Sequence, residues 1–251
     1  MPVVSVRYSE RPELWERITD LSAEVWPEYN RHGDVVGPYW DSLYQVFPDF
    51  QFVLYDEDAD EVLAEGQTIP VAWTGREEDL GPGIDHSIAA GFDLAGSGGT
   101  PDALCALAAE IPPRHRQRGL ATVILGAMAD LGRDDGLGWL IAPVRPNWKE
   151  RYPLAPVERY AAWTLPSGEA FDPWIRIHLR LGARLGPALP QSMRITGTVA
   201  EWESWTGMAF PDPGEYVFPH GLATLRVDRQ ADVGSYSEPN VWLIHDLRSR
   251  P

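Results

Sequence analysis

Arg114-His115-Arg116-Gln117-Arg118-Gly119-Leu120-Ala121-Thr122 is the stretch from which the rest of the chain is read. It sets three arginines within five residues, directly ahead of Leu120, Val123, Ile124, Ala127, Met128 and Leu131. That spacing is one face of an amphipathic helix. Cations are the wrong sign for the first turn of a helix, where free N–H groups and the positive dipole end collect. They suit it if an anion such as a phosphate docks there, with Gly119 and Ala121 letting it approach the backbone. The other reading is a solvated basic loop.

Upstream, residues 103–111 are nearly all apolar and stop at Pro112-Pro113. Periodicity leaves helix and buried strand open there. Downstream, 139–142 reads as a short strand, and 173–181 as a helix with Pro173 in its first turn and Gly182 as its stop. Strands are expected over 3–8, 50–55, 62–73, 193–199, 222–227 and 241–245. The acidic stretch 56–60 suits a hairpin turn. Helices are expected over 11–25 and 39–47. The glycine-rich residues 74–100 read as a long irregular connection with one short helix near 87–92.

The chain has 251 residues, 44% of them hydrophobic, enough for one large domain or two small ones. With no obvious linker, one domain over 1–251 is expected. A net charge of −16 disfavours nucleic acid and acidic membrane surfaces as partners. No segment reads as a signal peptide or a membrane span, so a cytoplasmic protein is expected. A single cysteine, Cys105, and six scattered histidines point to no metal site. Apolar neighbours make Cys105 an inert core thiol. The charge is uneven. Residues 114–159 carry eight cations against five anions, the remainder thirteen against thirty-two. The basic part suits phosphates, and the acidic part either attracts a cationic amine or is only a solubilising surface. Eleven tryptophans either anchor the core or line a groove.

Arg116-x-x-Gly119-x-Ala121 resembles the (Gln/Arg)-x-x-Gly-x-(Gly/Ala) element of the GCN5-related N-acetyltransferases, the GNAT family. The apolar run before it, the amphipathic helix it opens and the strand that follows resemble the family's order. Ile177-His178-Leu179-Arg180-Leu181-Gly182-Ala183 resembles its late helix-to-strand junction, usually Tyr-x-x-x-Gly-Phe. The likeness implies a mixed α/β fold: a central mixed, twisted β-sheet flanked by helices, with extended loops and a C-terminal extension over about 200–251. It makes 103–111 the central strand and 103–131 the cofactor-binding segment.

The likeness also implies acetyl-CoA or another acyl-CoA. Backbone amides of Arg116, Gln117, Arg118, Gly119, Leu120, Ala121 and Thr122 would cradle its pyrophosphate. Ile111 would pair with the pantetheine arm like an added strand, and Asn147 would offer a polar contact. Acyl transfer to an amine needs a base and a donor for the leaving thiolate. Glu110, a carboxylate ending an apolar strand, is the expected base, with Glu65 and His86 behind it. His178 stands where the family has its tyrosine, either as an imidazolium acid or as a buried structural histidine. Tyr152 and Tyr160 are the alternative phenols, and Trp174 is packing.

The expected function is N-acyl transfer, chiefly acetyl transfer, to a small and partly apolar amine by direct attack in a ternary complex. Two other classes stay open. One is a catalytically silent acyl-CoA-binding regulator. The other is a nucleotide-binding fold using Gly96-Ser97-Gly98-Gly99, which lacks a following Gly-Lys-Ser/Thr. The late aromatic segment 201–251 suits a packed extension or a homodimer surface.

Overall fold

The computed structural model describes residues 3–18 and 21–248. Among them are nine strands: β1 Val3–Arg7, β2 Gln51–Asp56, β3 Glu61–Val71, β4 Ala103–Glu110, β5 Trp139–Val144, β6 Arg184–Gly197, β7 Gly214–Tyr216, β8 Leu225–Asp228 and β9 Val233–Asp246. Eight α-helices accompany them: α1 Leu21–Val25, α2 Val36–Trp40, α3 Leu43–Val46, α4 Ile84–Ser97, α5 Leu120–Asp134, α6 Val157–Ala161, α7 Pro173–Arg180 and α8 Val199–Thr206. One mixed sheet runs β1-β2-β3-β4-β5-β9-β8-β7, and β6 pairs with β9. Only β4 and β5 run parallel among the described pairs.

β4 is buried on both faces, which explains its unbroken apolar run. Ala103, Cys105 and Leu107 enter one core with Ile88 of α4, and Leu104 enters another under α5. α5 buries Leu120, Ile124, Leu125, Met128 and Leu131. Val123, expected on the same face, is 41% exposed; Leu125, on the other flank of the stripe, is buried instead.

Residues 74–100 are not mainly a loop. They contain the 14-residue helix α4. Its glycines serve packing and capping. A Cβ on Gly91 would meet Ile69 Cδ1 at 2.4 Å, so Gly91 lets α4 lie against β3. Gly98, at φ +67, ends the helix, and Gly99 N–H returns to Leu94 O at 2.9 Å. The Gly96–Gly99 cluster is thus a helix stop and not a phosphate loop.

The helix expected over 11–25 is instead a 3₁₀ turn, Pro12–Arg17, followed by α1. Thr19 and Asp20, inside that range, lie outside the described residues. The helix expected over 39–47 is split between α2 and α3. α7 follows expectation: Asp172 caps it by accepting from Trp174 N and Ile175 N, and Gly182 at φ +86 turns the chain into β6. The C-terminal segment is not appended to the sheet. β9 lies between β5 and β6, with Val241, Trp242, Leu243 and Ile244 buried. No helix among the described residues is long and apolar enough to cross a membrane.

Candidate active site

β4 and β5 pair over only three residues, Ala103 to Cys105 against Trp139 to Ile141. Beyond that both strands continue but part. The bend has a local cause. Gln67 of β3 faces Ala108 and Thr68 faces Ala106, so Leu107 is an extra residue in β4. A cavity of about 1420 Å³ opens between the parted strands and is lined by 106–111 on one side and 142–145 on the other. The β4 edge beyond Cys105 has no strand beside it in this gap, so an extended chain can pair with it.

One end of the cavity is the N-terminus of α5. Gln117 at φ +67 and Gly119 at φ +76 both hold left-handed backbone. Gly119 caps the helix without a side-chain hydrogen bond, and its first turn contains no acid. The turn therefore presents amides to a ligand as an anion nest. A Cβ on Gly119 would meet nothing within 4 Å, so the space over the cap is open. Ile111, Arg116, Gln117, Gly119, Leu120, Ala121 and the exposed Asn147 all line the cavity. Two expected cofactor contacts do not. Arg118 turns to Asp56 Oδ2 at 3.9 Å and His115 Nδ1 at 3.2 Å, and Thr122 N–H is spent on Gly119 O at 3.1 Å. Arg114 pairs with Glu24, which leaves Arg116 as the arginine of this trio on the cavity wall.

The other end is acidic and aromatic. Glu110 is fully buried and accepts from Ser22 Oγ at 2.9 Å and Trp26 Nε1 at 2.6 Å. Directly across the ladder lies Glu65, also buried. Glu65 Oε1 accepts from Trp15 Nε1 at 2.5 Å and Tyr44 OH at 2.7 Å. Burial pushes the Glu65 carboxyl above its ordinary range, opposed by the hydrogen bonds from Tyr44 and Trp15. Both carboxylates line the cavity. So do five of the eleven tryptophans, Trp15, Trp26, Trp40, Trp148 and Trp174. Others, such as Trp202 and Trp242, are core. The tryptophans therefore divide between the two roles expected of them.

His178 reaches the cavity wall from α7, beside Trp174. Its Nδ1 lies 2.9 Å from His245 Nε2 on β9, and both rings are buried. Burial, and next the neighbouring His245, push His178 down to about 3. Of its two readings, burial thus favours the neutral, buried histidine over the imidazolium acid. Tyr152 and Tyr160 pack with Trp163 and Phe171 and do not line the cavity. The phenol that does is Tyr44, which sequence reading passed over. His86 is an exposed α4 residue against Gly81, off the cavity. Cys105 is buried and its thiol is pushed up to about 12, as an inert core cysteine requires. No metal-binding cluster occurs among the described residues.

A second polar group was also missed. Arg145, just past β5, donates from Nε to Glu238 Oε1 at 2.6 Å, and from Nη2 to His220 O at 2.7 Å and Tyr29 OH at 3.2 Å. Tyr236 and Asn30 also donate to Glu238. Nothing local marks these residues, because their partners lie far away in sequence.

This fold has known counterparts. The chain is 29% identical to arginine N-acetyltransferase avaD of Aspergillus versicolor, over 94% of this chain and 91% of the relative. Its structure is similar to the loading GNATL domain of CurA from Lyngbya majuscula, with a TM-score of 0.59 at 16% identity over 99% of this chain and 98% of that one. It is equally similar to the GphF GNAT-like decarboxylase in complex with isobutyryl-CoA, with a TM-score of 0.59 at 18% identity over 99% and 100%. No family profile matches the chain. The chain thus has the fold of the GNAT domains and is similar in sequence to an N-acetyltransferase.

Proposed function

We propose that the chain is an acyl-CoA-dependent N-acetyltransferase whose acceptor is a small cationic amine of the arginine class. The observation that carries this is a single cavity that joins an anion nest to a buried pair of carboxylates through the gap between β4 and β5.

The residues present fit a coenzyme A. Arg116 and the amides at Gln117, Gly119, Leu120 and Ala121 would hold its pyrophosphate. The β4 edge up to Ile111 would pair with the amides of the pantetheine arm, and Asn147 would add a polar contact. Bound acyl-CoA supplies the activated acyl group. No protein nucleophile is needed, and the amine attacks within the ternary complex. Glu110 takes the proton that the amine must lose. Glu65 beside it adds a second carboxylate to draw and hold the cation. His178, with Nδ1 accepting from His245 and its one proton on Nε2, would be a neutral N–H donor to the thiolate that leaves as the amide bond forms.

Charge supports a cationic acceptor. The lining holds six carboxylates, Glu24, Asp41, Glu65, Glu110, Glu150 and Glu238, against three arginines. The name of the fungal relative points the same way.

Calorimetry with acetyl-CoA and free CoA, followed by an acetyl-transfer assay on arginine and a panel of amines, tests the proposal. Micromolar binding and turnover of guanidino amines are expected. Folded wild type that binds no CoA species would sink it. Binding without turnover of any amine would leave a silent acyl-CoA binder.

A further inference from the structure

The Arg145 cluster has hydrogen-bonding capacity that the protein itself does not use. Arg145 spends Nε on Glu238 and Nη2 on Tyr29 and His220, so its two Nη1 hydrogens have no partner among the described residues. Asn30 donates Nδ2–H to Glu238 Oε1 at 3.0 Å, which fixes the orientation of its amide. Its Oδ1 is then a buried acceptor with no donor. Arg145 and Asn30 bond the same Glu238 oxygen, so the spare donors and the spare acceptor are neighbours. Both residues line the cavity. His220 holds left-handed backbone, φ +62, while its carbonyl accepts from both Arg145 and Tyr29.

A ligand that completes both residues must bring an acceptor and a donor side by side. A simple amine completes only Asn30, and a simple anion only Arg145. Glu238 already balances the Arg145 charge, so the subsite suits a group with no net charge. A carboxylate and an ammonium on one carbon meet all three conditions. We infer, on the basis of the transferase reading above, that Arg145 and Asn30 bind the headgroup of an amino-acid acceptor. Arg145 takes the carboxylate and Asn30 Oδ1 the α-ammonium. The α-nitrogen stays protonated there, and the distal nitrogen is the one offered to Glu110.

Three compounds with the same guanidinium test this on the wild-type protein: arginine, arginine methyl ester and agmatine, which lacks the carboxylate. Losing a charged hydrogen-bond partner should lower kcat/KM by roughly 30-fold for the ester and for agmatine, mainly through KM. Equal kcat/KM values for the three would overturn the inference. Asn30→Ala should raise KM for arginine about tenfold and that for 5-guanidinopentanoate, which keeps the carboxylate but lacks the α-ammonium, far less; an equal rise for both would count against the headgroup. Tandem mass spectrometry of the arginine product should find the acyl group on the distal nitrogen, and an α-acylated product overturns the assignment. Calorimetry with the same compounds reads the subsite without turnover. If no amine is acetylated, the transferase reading falls, yet arginine should still bind about tenfold more tightly than agmatine. Equal affinities would remove the headgroup subsite as well.

Discussion

The two ends of the cavity are built in opposite ways. The proposed anion end is one continuous stretch, 111–121, that offers backbone: left-handed turns at Gln117 and Gly119 and open amides at the start of α5. The proposed acceptor end offers buried carboxylates, each held by a partner distant in sequence: Trp26 on Glu110, Trp15 on Glu65, Asn30 on Glu238. A backbone site is local and leaves a motif. A side-chain site is assembled by topology and leaves scattered residues that mean little until the sheet brings them together.

The largest expected effect separates chemistry from binding at the acceptor end. Glu110→Gln keeps an oxygen for Ser22 and Trp26 but removes the base. Its kcat for acetyl transfer should fall by about 10²–10⁴, while calorimetry finds acetyl-CoA affinity unchanged. A loss of CoA affinity alongside kcat would mean the two ends are not separable.

The converse variant comes next. Gly119→Glu with Arg116→Ala puts a β-carbon into left-handed backbone and a carboxylate over the nest. Acetyl-CoA affinity should drop roughly 100-fold. The thermal midpoint should fall by a few degrees, because a β-carbon at φ +76 strains the backbone even where the space is open, partly offset by an acid at a helix N-terminus. Unchanged affinity in the folded variant would remove the phosphate site from this end.

That contrast also explains what the sequence made legible. α5 was readable from its periodicity, β4 only through the likeness that one short motif carries, and the proposed anion end rests on that same motif. Glu110 was singled out because a carboxylate ending an apolar strand is conspicuous. Glu65 was only a secondary candidate, because its importance lies in the β3–β4 register that sets it opposite Glu110. Arg145, Asn30 and Tyr44 were invisible for the same reason. α4 was misread because glycines that allow close packing look the same in sequence as glycines that make loops. His178 was left between two readings, since the burial that favours the neutral one depends on the β9 strand that covers it.

A smaller effect tests the carboxylate pair. Glu65→Gln retains the hydrogen bonds from Tyr44 and Trp15 but loses one negative charge. KM for a guanidino acceptor should rise about tenfold, with kcat reduced far less than in Glu110→Gln. An equal collapse of kcat would make Glu65 part of the proton transfer itself, and the two carboxylates would have to be treated as one unit.

The smallest effect concerns the wall between the two ends, where His178 meets His245. Burial pushes the two rings down, to about 3 and about 4. In the unfolded chain both titrate near 6.5. Between these values the unfolded chain binds protons that the native protein does not, so stability falls as pH falls from about 6.5 towards 4. One excluded proton corresponds to about 1.4 kcal/mol per pH unit. Glu65 acts in the opposite sense, because its raised native value means the folded state takes up a proton first on acidification. Urea unfolding at pH 7 and pH 5 should therefore show a net loss at pH 5, and His178→Phe with His245→Leu should abolish most of it. The imidazole signals of both rings should stay fixed in NMR spectra from pH 8 to pH 5.5. A ring that titrates near 6.5 in the folded protein would restore His178 as an imidazolium acid, and the wall would then carry charge as the two ends do.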